Sequence, residues 1–566
     1  MPQPSLYGSA PPTFCPSVSP AGQVLLVVGV LAVLHVPLGN YLARVYTASA
    51  HGRVEMLIFR LGRIDPEADQ RWPVYLTSLL AFSAVGVGAL YLLLRLQGHL
   101  PYSLGHPGMS PALAFDTAVS FTTNTSWQSY SGESTLGHTA LAVGLGTQAF
   151  LSLAVGMAAA VALVRGLTRR NTDRVGNFWV DLTRGCLRVA VPLALLGGLA
   201  LLACGVVQNL GPAHSATGLA GIRQPLIGGP VASWEPVKLL SGDGGGAFNA
   251  NSAHPFENPS GLSNLIEIVL MLLIPSAFPR AYGVMVGDRR QGWALAAVAG
   301  LLFAVALTTA NAAQAGHHGT VPTAVGAATE GTETRIGIPA STLFGATATA
   351  TADGAADASY DSFTSLGGGV LMANMMLGEI SPGGGGSGLY GLLMTALVAV
   401  FLGGLLVGRT PEYLGKQVRQ REITFIALYA LALPATVLIG TALALALPAG
   451  RAGLLNTGPH GLAEPLYAFT SAANSNGSAF AGLNADTTFY NTALGVTMLA
   501  GRYLPMIFVL ALAGAFARQG IRPASRGTLA THTPFFVAFI TATAVLMSLL
   551  SFLPTLALGP LADALH

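Results

Sequence analysis

Four short polar segments of closely similar composition interrupt an otherwise apolar chain. Each contains an Asn or Asp followed by Gly or Thr, and the tips fall 119, 110 and 123 residues apart. Amide, hydroxyl and carbonyl oxygens can replace the water around a monovalent cation, and Gly lets successive backbone carbonyls turn inward. These residue types favour cation binding by four loops of one polypeptide. The tips are Asn124-Thr125, Asp243-Gly244, Asp353-Gly354 and Asn476-Gly477.

The candidate ion-binding residues lie at or next to these tips. In the second, third and fourth copies a helix-compatible stretch precedes the tip, and such a helix would direct the partial negative charge of its C-terminus at an ion. A single Gly-rich loop is more often a flexible connector, but fourfold recurrence favours a filter. The predicted filter residues are Thr122, Thr123, Asn124, Thr125, Gly242, Asp243, Gly244, Asp353, Gly354, Asn474, Asn476 and Gly477.

The elements that position these loops are predicted to be membrane helices. Apolar residues make up 52% of the 566 positions, and Asp, Glu, Lys and Arg only 9%, whereas soluble domains average about 25% charged residues. A span needs roughly 20 largely apolar residues. Ten stretches qualify, which predicts an all-α polytopic membrane protein with four helix–pore loop–helix repeats around a central pore. The stretches are 22–42, 72–96, 138–164, 187–208, 261–279, 292–311, 388–407, 423–447, 489–517 and 532–557.

Eight of these spans frame the four loops, and the first and last spans are additions. The chain is therefore expected to divide into consecutive regions. These are an extracellular tail (1–21), a first additional span with its cytoplasmic loop (22–71), four pore repeats (72–164, 165–279, 280–407 and 408–517) and a last additional span (518–566).

Basic residues predict the orientation of the spans. The loops that follow spans one, three, five, seven and nine hold 21 of the 27 Lys and Arg residues, and such loops face the cytoplasm. Both termini and all four polar loops then face outward. The net charge of +3 lies in short loops between spans, so it does not indicate a nucleic-acid-binding surface.

Several unusual sequence strings resemble one known family. TSAANSNGSAFAGLN at 470–484 resembles the fourth pore loop of the potassium-binding subunits (KdpA) of bacterial Kdp potassium-transporting ATPases. The resemblance implies the fold of the Trk, Ktr and HKT transporters, and a chain that selects potassium while a P-type ATPase partner hydrolyses ATP. Matches run in order over roughly residues 22–560 and include TSWQSYSGE at 125–133, NANSAHPFENP at 249–259, GDRRQGWAL at 287–295, GSGLYG at 386–391 and GRTPEYLGK at 408–416.

The resemblance also implies roles for individual residues. Asn124 and Thr125 match the first filter loop of the family, and the other three loops match at their filter glycines, which are Gly244, Gly354 and Gly477. In a further match, Asn251 occupies a polar position near the filter, although it could equally cap a helix.

Two tips depart from the family pattern. The second usually reads Thr-Asn-Gly and here is Gly242-Asp243-Gly244, and the third usually reads Ser-Cys-Gly and here is Ala352-Asp353-Gly354. Acids that face the ion path would weaken discrimination between potassium and sodium or admit divalent ions. Acids that accept backbone N–H groups behind the filter would leave selectivity unchanged. The second arrangement is favoured, because a bare carboxylate beside a dehydrated site would be protonated or paired.

Three charged residues fall within or beside predicted spans. Arg502, in GRYLP at 501–505, is expected to interrupt the ninth span, and the resemblance implies that it projects into the pore below the filter. Glu379 lies in a break before the seventh span, where glycine runs at 367–369 and 383–386 predict a non-helical, gate-like loop. Charges in hydrocarbon normally face a cavity or each other, so Arg502 and Glu379 are gate candidates. Glu267, inside the fifth span, fits a functional or a structural role equally.

Other motifs indicate no catalysis in this chain. Neither a Walker sequence nor an Asp-Lys-Thr-Gly phosphorylation site occurs. The glycines of Gly386-x-Gly388-x-x-Gly391 match the spacing of the dinucleotide-binding motif. They open a membrane span without a preceding strand, so the match does not indicate a dinucleotide site. The pair His317-His318 is expected to be solvated. His254 and His460, near the pore loops, are expected to hydrogen-bond to the backbone. We therefore expect no nucleotide on this chain, and the resemblance implies K⁺ as the bound substrate ion.

For this polytopic membrane protein, the resemblance implies the potassium-binding and translocating subunit of a high-affinity ATP-driven uptake complex in the bacterial inner membrane. The partners that it implies are a P-type ATPase catalytic subunit and small accessory membrane subunits (KdpB, KdpC and KdpF), with the lipid bilayer around them. The alternative is a stand-alone Trk- or Ktr-like potassium translocator driven by ion gradients. An intramembrane hydrolase is disfavoured, because its Ser nucleophile would need a paired His at helix depth and none stands out.

Overall fold

A computed structural model describes residues 19–316, 329–408, 410–523 and 529–565. The other positions include most of the predicted tail, the His317-His318 pair and the basic residues Arg409 and Arg526. The expectations about these residues therefore lie outside the described ranges.

Ten helices within the described ranges are long and apolar enough to cross a membrane. This confirms the ten predicted spans and the all-α architecture. The spans are built from α1 (Pro20–Thr47), α3 (Trp72–Leu96), α6 (Gly146–Thr168), α7 (Phe178–Arg184) with α8 (Val191–Ala203), α10 (Gly261–Met285), α11 (Arg289–Ala315), α14 (Ser387–Val407), α15 (Gln420–Ala446), α18 (Thr488–Ala517) and α19 (Pro534–Leu556).

A shorter helix precedes each of the four polar tips. The first tip has one as well, although the sequence indicated such a helix only for the other three. Ser110 caps the first of them by accepting the N–H of Leu113, and a Pro in the first turn begins the first, third and fourth. These pore helices are α4 (Pro111–Thr122), α9 (Val231–Ser241), α12 (Ile338–Ala350) and α17 (Gly458–Asn474).

Short elements join the longer ones. The remaining α-helices are α2 (Arg53–Leu61), α5 (Gly132–Thr135), α13 (Ser365–Met376) and α16 (Pro448–Arg451). Six strands within the described ranges form three antiparallel pairs: β1 (Gln70–Arg71) with β2 (Arg174–Gly176), β3 (His214–Thr217) with β4 (Arg223–Leu226), and β5 (Glu412–Tyr413) with β6 (Lys416–Gln417).

The spans differ in how deeply they are buried. In the span that contains α6, 83% of the most apolar stretch is buried, but the corresponding fraction in α1 is 11%. The α6 helix therefore packs at the centre of the molecule. The α1 helix presents its apolar surface outward, as a peripheral additional span does in lipid.

The second span of the third repeat is divided in two. α13 ends at Met376, residues 377–386 are non-helical, and α14 begins at Ser387. The predicted loop around Glu379 is therefore present, but the glycines at 367–369 do not belong to it. They lie inside α13, where Gly367 packs on Gln314 and Gly368 on Phe480, so tertiary packing overrides their low helix propensity.

Four of the five basic loops meet at one end of the helix bundle. β1 follows the first span and pairs with β2, which follows the third. Lys416 Nζ donates to the carbonyl oxygens of Arg169, Phe516 and Gln519 at 2.5, 2.9 and 2.8 Å. These bonds join the loops after spans three, seven and nine. That this end faces the cytoplasm stays a prediction.

Candidate functional site at the junction of four loops

The four tips adopt the same backbone turn. In each, one residue has a left-handed conformation, and the N–H of the next residue donates to the carbonyl five positions earlier. The left-handed residues are Asn124, Gly242, Ala352 and Ser475, with φ of 62°, 63°, 60° and 60°. The donors are Thr125, Asp243, Asp353 and Asn476, at 2.9, 3.1, 3.0 and 2.9 Å.

The shared turn shows which residues of the four loops are equivalent. In the first loop they lie one position later in the chain than the sequence predicted. The sequence paired Asn124-Thr125 with Asp243-Gly244, but the structural equivalents of Asp243 and Gly244 are Thr125 and Ser126. The predicted alignment was wrong because it matched Asn to Asp by residue type. Asn and Gly are common at left-handed positions, but Ala and Ser are not, so the third and fourth tips concealed the pattern.

The loops approach one another through their glycines. A Cβ added to Gly244 would clash with the backbone of Gly354, one added to Gly354 with Asn476 and Gly477, and one added to Gly477 with the carbonyl of Thr125. The loops therefore contact one another in the order two, three, four, one. Such close backbone approach requires glycine.

Asn124 completes the junction between the first and second loops. Its Nδ2 donates to the carbonyl oxygens of Gly242 at 2.8 Å and Ser241 at 3.2 Å, and its Oδ1 accepts the Ser152 hydroxyl at 2.9 Å. The structure thus brings all four predicted tips together in one place.

The other predicted residues of the first and fourth loops lie at the same junction. Thr122 is the last residue of α4, and the Thr123 hydroxyl lies 2.9 Å from that of Thr125. Asn474 is the last residue of α17, and its amide donates to the carbonyl of Thr470 in its own helix at 2.8 Å. Ion coordination by these residues stays a prediction.

The two acidic residues of the tips differ in their contacts. Asp353 Oδ1 accepts the N–H of Ala355 at 2.9 Å, as Asn476 Oδ1 accepts that of Ser478 at 3.1 Å. One oxygen of Asp353 therefore binds the backbone of its own loop, as the second alternative requires. Asp243 is also fully buried, but no well-formed hydrogen bond from a described residue reaches either of its carboxyl oxygens. Asp243 therefore lacks the backbone pairing that the second alternative requires, and an unpaired buried carboxylate is unfavourable.

Asn251 lies beyond the second tip, not at the junction. Its Oδ1 accepts Lys238 Nζ at 2.8 Å and the N–H of Ser252 at 2.8 Å, at the start of a short turn of 3₁₀-helix. Asn251 thus holds the segment that follows the tip. A direct role in ion binding stays a prediction.

Lys238 is a site residue that the sequence reasoning missed. Besides Asn251, its Nζ contacts Glu257 at 2.7 Å and Glu235 at 2.9 Å, and both acids and the lysine are fully buried. The carbonyl of Lys238 accepts the N–H of Asp243. A buried ammonium is tolerated only when it is paired, so this cluster anchors the second tip. The available signal was an acid and a lysine three residues apart, Glu235 and Lys238, inside a short apolar pore helix.

Glu267 lies near the same cluster. It is fully buried in α10, and no well-formed hydrogen bond from a described residue reaches either of its carboxyl oxygens. The contacts of Glu267 therefore do not separate the functional from the structural alternative.

Cavities lie on both sides of the junction. One, of about 920 Å³, is lined by residues at the ends of the tips and by residues that follow them, among them Gly354, Gly477 and Ser126. The other, of about 120 Å³, is lined by Asn474 and Ser475, which precede the fourth tip. A buried water needs roughly 10–15 Å³ by this measure, so the smaller cavity has room for several waters.

Arg502 and Glu379 both line the smaller cavity. α18 continues through Arg502, so the expectation that this residue interrupts the span is wrong. Its Nη2 donates to the carbonyl of Ser152 at 3.1 Å, and no carboxylate in the described ranges lies within 4.0 Å. Glu379 has a left-handed φ of 51° and accepts the amide of Asn476 at 3.3 Å. The two charges therefore face the cavity and do not pair with each other.

His460 contacts carboxylates, not the backbone as expected. Its Nε2 lies 3.0 Å from Asp361 and its Nδ1 3.2 Å from Asp563, and the hydrogen bond with Asp361 does most to raise the pKa of His460 to about 9. This protonated histidine clamps the start of α17 to the C-terminal residues. For His254 the expectation is confirmed, because its Nδ1 accepts the N–H of Phe256 at 3.1 Å.

The fold and the junction define a class of protein: a polytopic membrane protein in which four pore-loop repeats of one chain converge on a single site. The potassium transporter TrkH from Vibrio parahaemolyticus has a similar fold, with a TM-score of 0.51 and 17% sequence identity over 86% of this chain and 97% of that chain.

Sequence comparison identifies the family within this class. The model of the family KdpA, described as the potassium-transporting ATPase A subunit, matches residues 25–565. The potassium-transporting ATPase potassium-binding subunit of Kineococcus radiotolerans is 57% identical over 545 residues, covering 96% of this chain and 97% of the relative. The subunit of the same name from Frankia alni is 52% identical over 586 residues, covering 97% of this chain and all of the relative. The chain belongs to the KdpA family.

Proposed function

We propose that this chain is the potassium-binding and translocating subunit of a high-affinity, ATP-driven potassium uptake complex. The observation that carries the proposal is the junction of four equivalent left-handed turns between two cavities. Turns of this kind present rings of backbone carbonyls, which replace the hydration shell of a potassium ion. Relatives more than 50% identical are named as potassium-binding subunits, which supports potassium as the substrate ion.

The ion enters from the larger cavity and loses its water at the four tips. The carbonyl, hydroxyl and amide oxygens of the predicted filter residues replace that water. All four pore helices end at the junction, so the partial negative charges of their C-termini point toward the ion. Selectivity then depends on how rigidly the glycine contacts hold the four loops together.

Below the junction, Arg502 and the non-helical segment 377–386 obstruct straight passage. The Arg502 guanidinium has no carboxylate partner among the described residues, and such a charge repels a cation in this low-dielectric region. Such an obstruction prevents potassium from leaking down its gradient, which would defeat a pump. The ion therefore leaves the smaller cavity sideways, toward a partner subunit.

The chain selects the ion, and a partner supplies the energy. In this proposal a P-type ATPase catalytic subunit (KdpB) hydrolyses ATP, small membrane subunits (KdpC and KdpF) complete the complex, and no nucleotide binds this chain. The complex lies in the bacterial inner membrane, with both termini of the chain outside the cytoplasm. The basic loops at one end of the bundle support this orientation.

The acids at the second and third tips decide how strictly potassium is selected. Asp353 accepts a backbone N–H of its own loop, which supports a position behind the filter. Asp243 has no such bond and is the acid able to influence the ion path. We therefore expect Asp353→Asn to preserve the discrimination between potassium and sodium, and Asp243→Asn to be the variant that reveals any influence.

The test is the ATPase activity of the complex that co-purifies with the tagged chain in mild detergent, titrated with potassium and then with sodium. Stimulation by low potassium but not by sodium is the expected result. If sodium stimulates the ATPase equally and Asp243→Asn abolishes the stimulation by sodium, the chain is still a pump subunit and Asp243 lies in the ion path. No ATPase partner, with potassium flux through the purified chain in liposomes, would replace the proposal by a stand-alone translocator.

A further inference from the structure

The short helix α2 carries an apolar stripe that no described part of the chain covers. Val54, Leu57, Ile58 and Leu61 recur at the spacing of one helix face. Their exposed fractions are 59%, 54%, 37% and 77%. In water a continuous stripe of this kind is unfavourable, so the surface needs an apolar environment.

A different face of α2 attaches the helix to the protein. Glu55 accepts Arg188 Nε at 2.5 Å and Arg188 Nη2 at 2.6 Å, and it also accepts the N–H of Gly52 at 2.9 Å. One turn later, Phe59 is buried, with its ring centroid 5.5 Å from that of His51. This two-point attachment sets the rotation of the helix about its axis and directs the stripe away from the protein.

Arginines on and just after α2 have no acidic partner in the part of the chain that the structure describes. Arg53, Arg60 and Arg63 are exposed, and within the described ranges no carboxylate lies within 4.0 Å of their side chains. The helix thus presents an apolar stripe flanked by uncompensated positive charge. This pattern is typical of helices that lie in the surface of a membrane.

The place of α2 in the chain puts it at the membrane boundary. α1 has 28 residues, about 42 Å of helix, so it extends beyond a hydrocarbon core of roughly 30 Å. α2 begins at Arg53, shortly after α1 ends at Thr47. The following segment pairs through β1 with β2 at the basic end of the bundle.

We infer that α2 lies in the plane of the membrane at the basic end of the bundle, with its stripe in the acyl boundary and its arginines bound to anionic lipid phosphates. A leaflet with anionic headgroups supplies both the apolar layer and the counter-charge. α2 is then a lipid-recognition element that couples the first span, through Glu55 and Arg188, to the second repeat.

The depth of a spin label on α2 tests this inference. The full chain, with its natural cysteines replaced by alanine, is labelled at Leu57→Cys and placed in nanodiscs of phosphatidylcholine with or without one-third phosphatidylglycerol. The expected result is a label accessible to oxygen and protected from a water-soluble nickel chelate, with stronger protection in the anionic nanodiscs. A label at Glu67→Cys, whose native side chain is 82% exposed, is the matched control and should stay accessible to the chelate.

The arginines are tested by the combined variant Arg53→Gln, Arg60→Gln and Arg63→Gln. Each basic residue near an anionic surface changes the association constant roughly fivefold. In the triple variant, the ratio of the association constants of α2 for anionic and neutral lipid should therefore fall by about a hundredfold. A Leu57 label open to the nickel chelate in both nanodiscs would overturn the inference. So would protection that is independent of lipid charge, or protection in detergent that appears only when partner subunits are bound.

Discussion

The side-chain amide of Asn476 donates to the carboxylate of Glu379 at 3.3 Å and to the carbonyl of Ala348 at 3.1 Å. The backbone N–H of the same Asn476 closes the turn of the fourth tip. This one residue therefore joins the third pore helix, the fourth tip and the non-helical segment 377–386. A movement of that segment would change the geometry of the tip directly.

Replacement of Glu379 tests this connection. Glu379→Gln keeps an oxygen that can accept the Asn476 amide, so we expect it to retain most of the potassium dependence of ATPase activity. Glu379→Ala removes this acceptor and leaves the buried Asn476 amide with the Ala348 carbonyl alone, a cost of about 1–3 kcal/mol. We expect at least a tenfold higher potassium concentration for half-maximal stimulation. Equal behaviour of the two variants would show that the bond does not couple the segment to the tip.

Arg502 is predicted to limit passive flow. Arg502→Gln removes the positive charge that faces the smaller cavity, so potassium flux without ATP should rise, or ATP hydrolysis should become uncoupled from uptake. Arg502→Lys keeps the charge and should behave nearly as the natural chain. The measurement is flux in proteoliposomes with and without ATP, and unchanged coupling in Arg502→Gln would contradict the role.

The close contact of the glycines predicts a steric effect at Gly477. Its φ is +96°, and an added Cβ would overlap the carbonyl of Thr125. Strain of this kind costs on the order of 1–3 kcal/mol, so Gly477→Ala should weaken potassium binding roughly tenfold or more. Gly221→Ala is the matched control, because Gly221 has φ of +75° but nothing within 4 Å of the added Cβ. Calorimetric titration with potassium compares them, and similar affinities would show that the contact is unimportant.

The buried Lys238 is predicted to matter for both stability and binding. Lys238→Met leaves Glu235 and Glu257 buried without their cation, which should lower the free energy of unfolding by about 3–5 kcal/mol. Lys416 is an equally buried lysine, but the acceptors of its Nζ are backbone carbonyls. Lys416→Met should therefore destabilise the protein less and leave the potassium dependence unchanged. Thermal unfolding and potassium titration of both variants decide this, and parallel losses would assign Lys238 a purely structural role.

The raised pKa of His460 predicts that the protein loses stability at alkaline pH. Its pKa rises from 6.5 to about 9 in the folded protein, chiefly through the hydrogen bond to Asp361. The stabilisation is therefore fully present below pH 6.5 and is lost as the pH rises through about 9. It amounts to at most about 3 kcal/mol. His460→Gln should show a smaller fall in melting temperature between pH 7.5 and pH 10 than the natural chain. Parallel falls would contradict the clamp.

The sequence by itself determined the ten spans, because the length and apolar character of a span are local properties set by the thickness of a membrane. It also located the four tips, since residues with suitable oxygens and turn conformations recur between spans. Sequence strings that resemble those of the KdpA family then identified the relatives of the chain. Each of these inferences used information carried by short, contiguous stretches.

Only the tertiary structure decided which residues of the four tips are equivalent to one another. The left-handed position is occupied by Asn124, Gly242, Ala352 and Ser475, and no single residue type marks it. The glycines at 367–369 would break an isolated helix, yet packing keeps α13 helical through them. The partners of Lys238, Glu379 and His460 come from other turns, loops or repeats. Such contacts depend on how distant segments pack in three dimensions, and local sequence pattern carries no direct record of them.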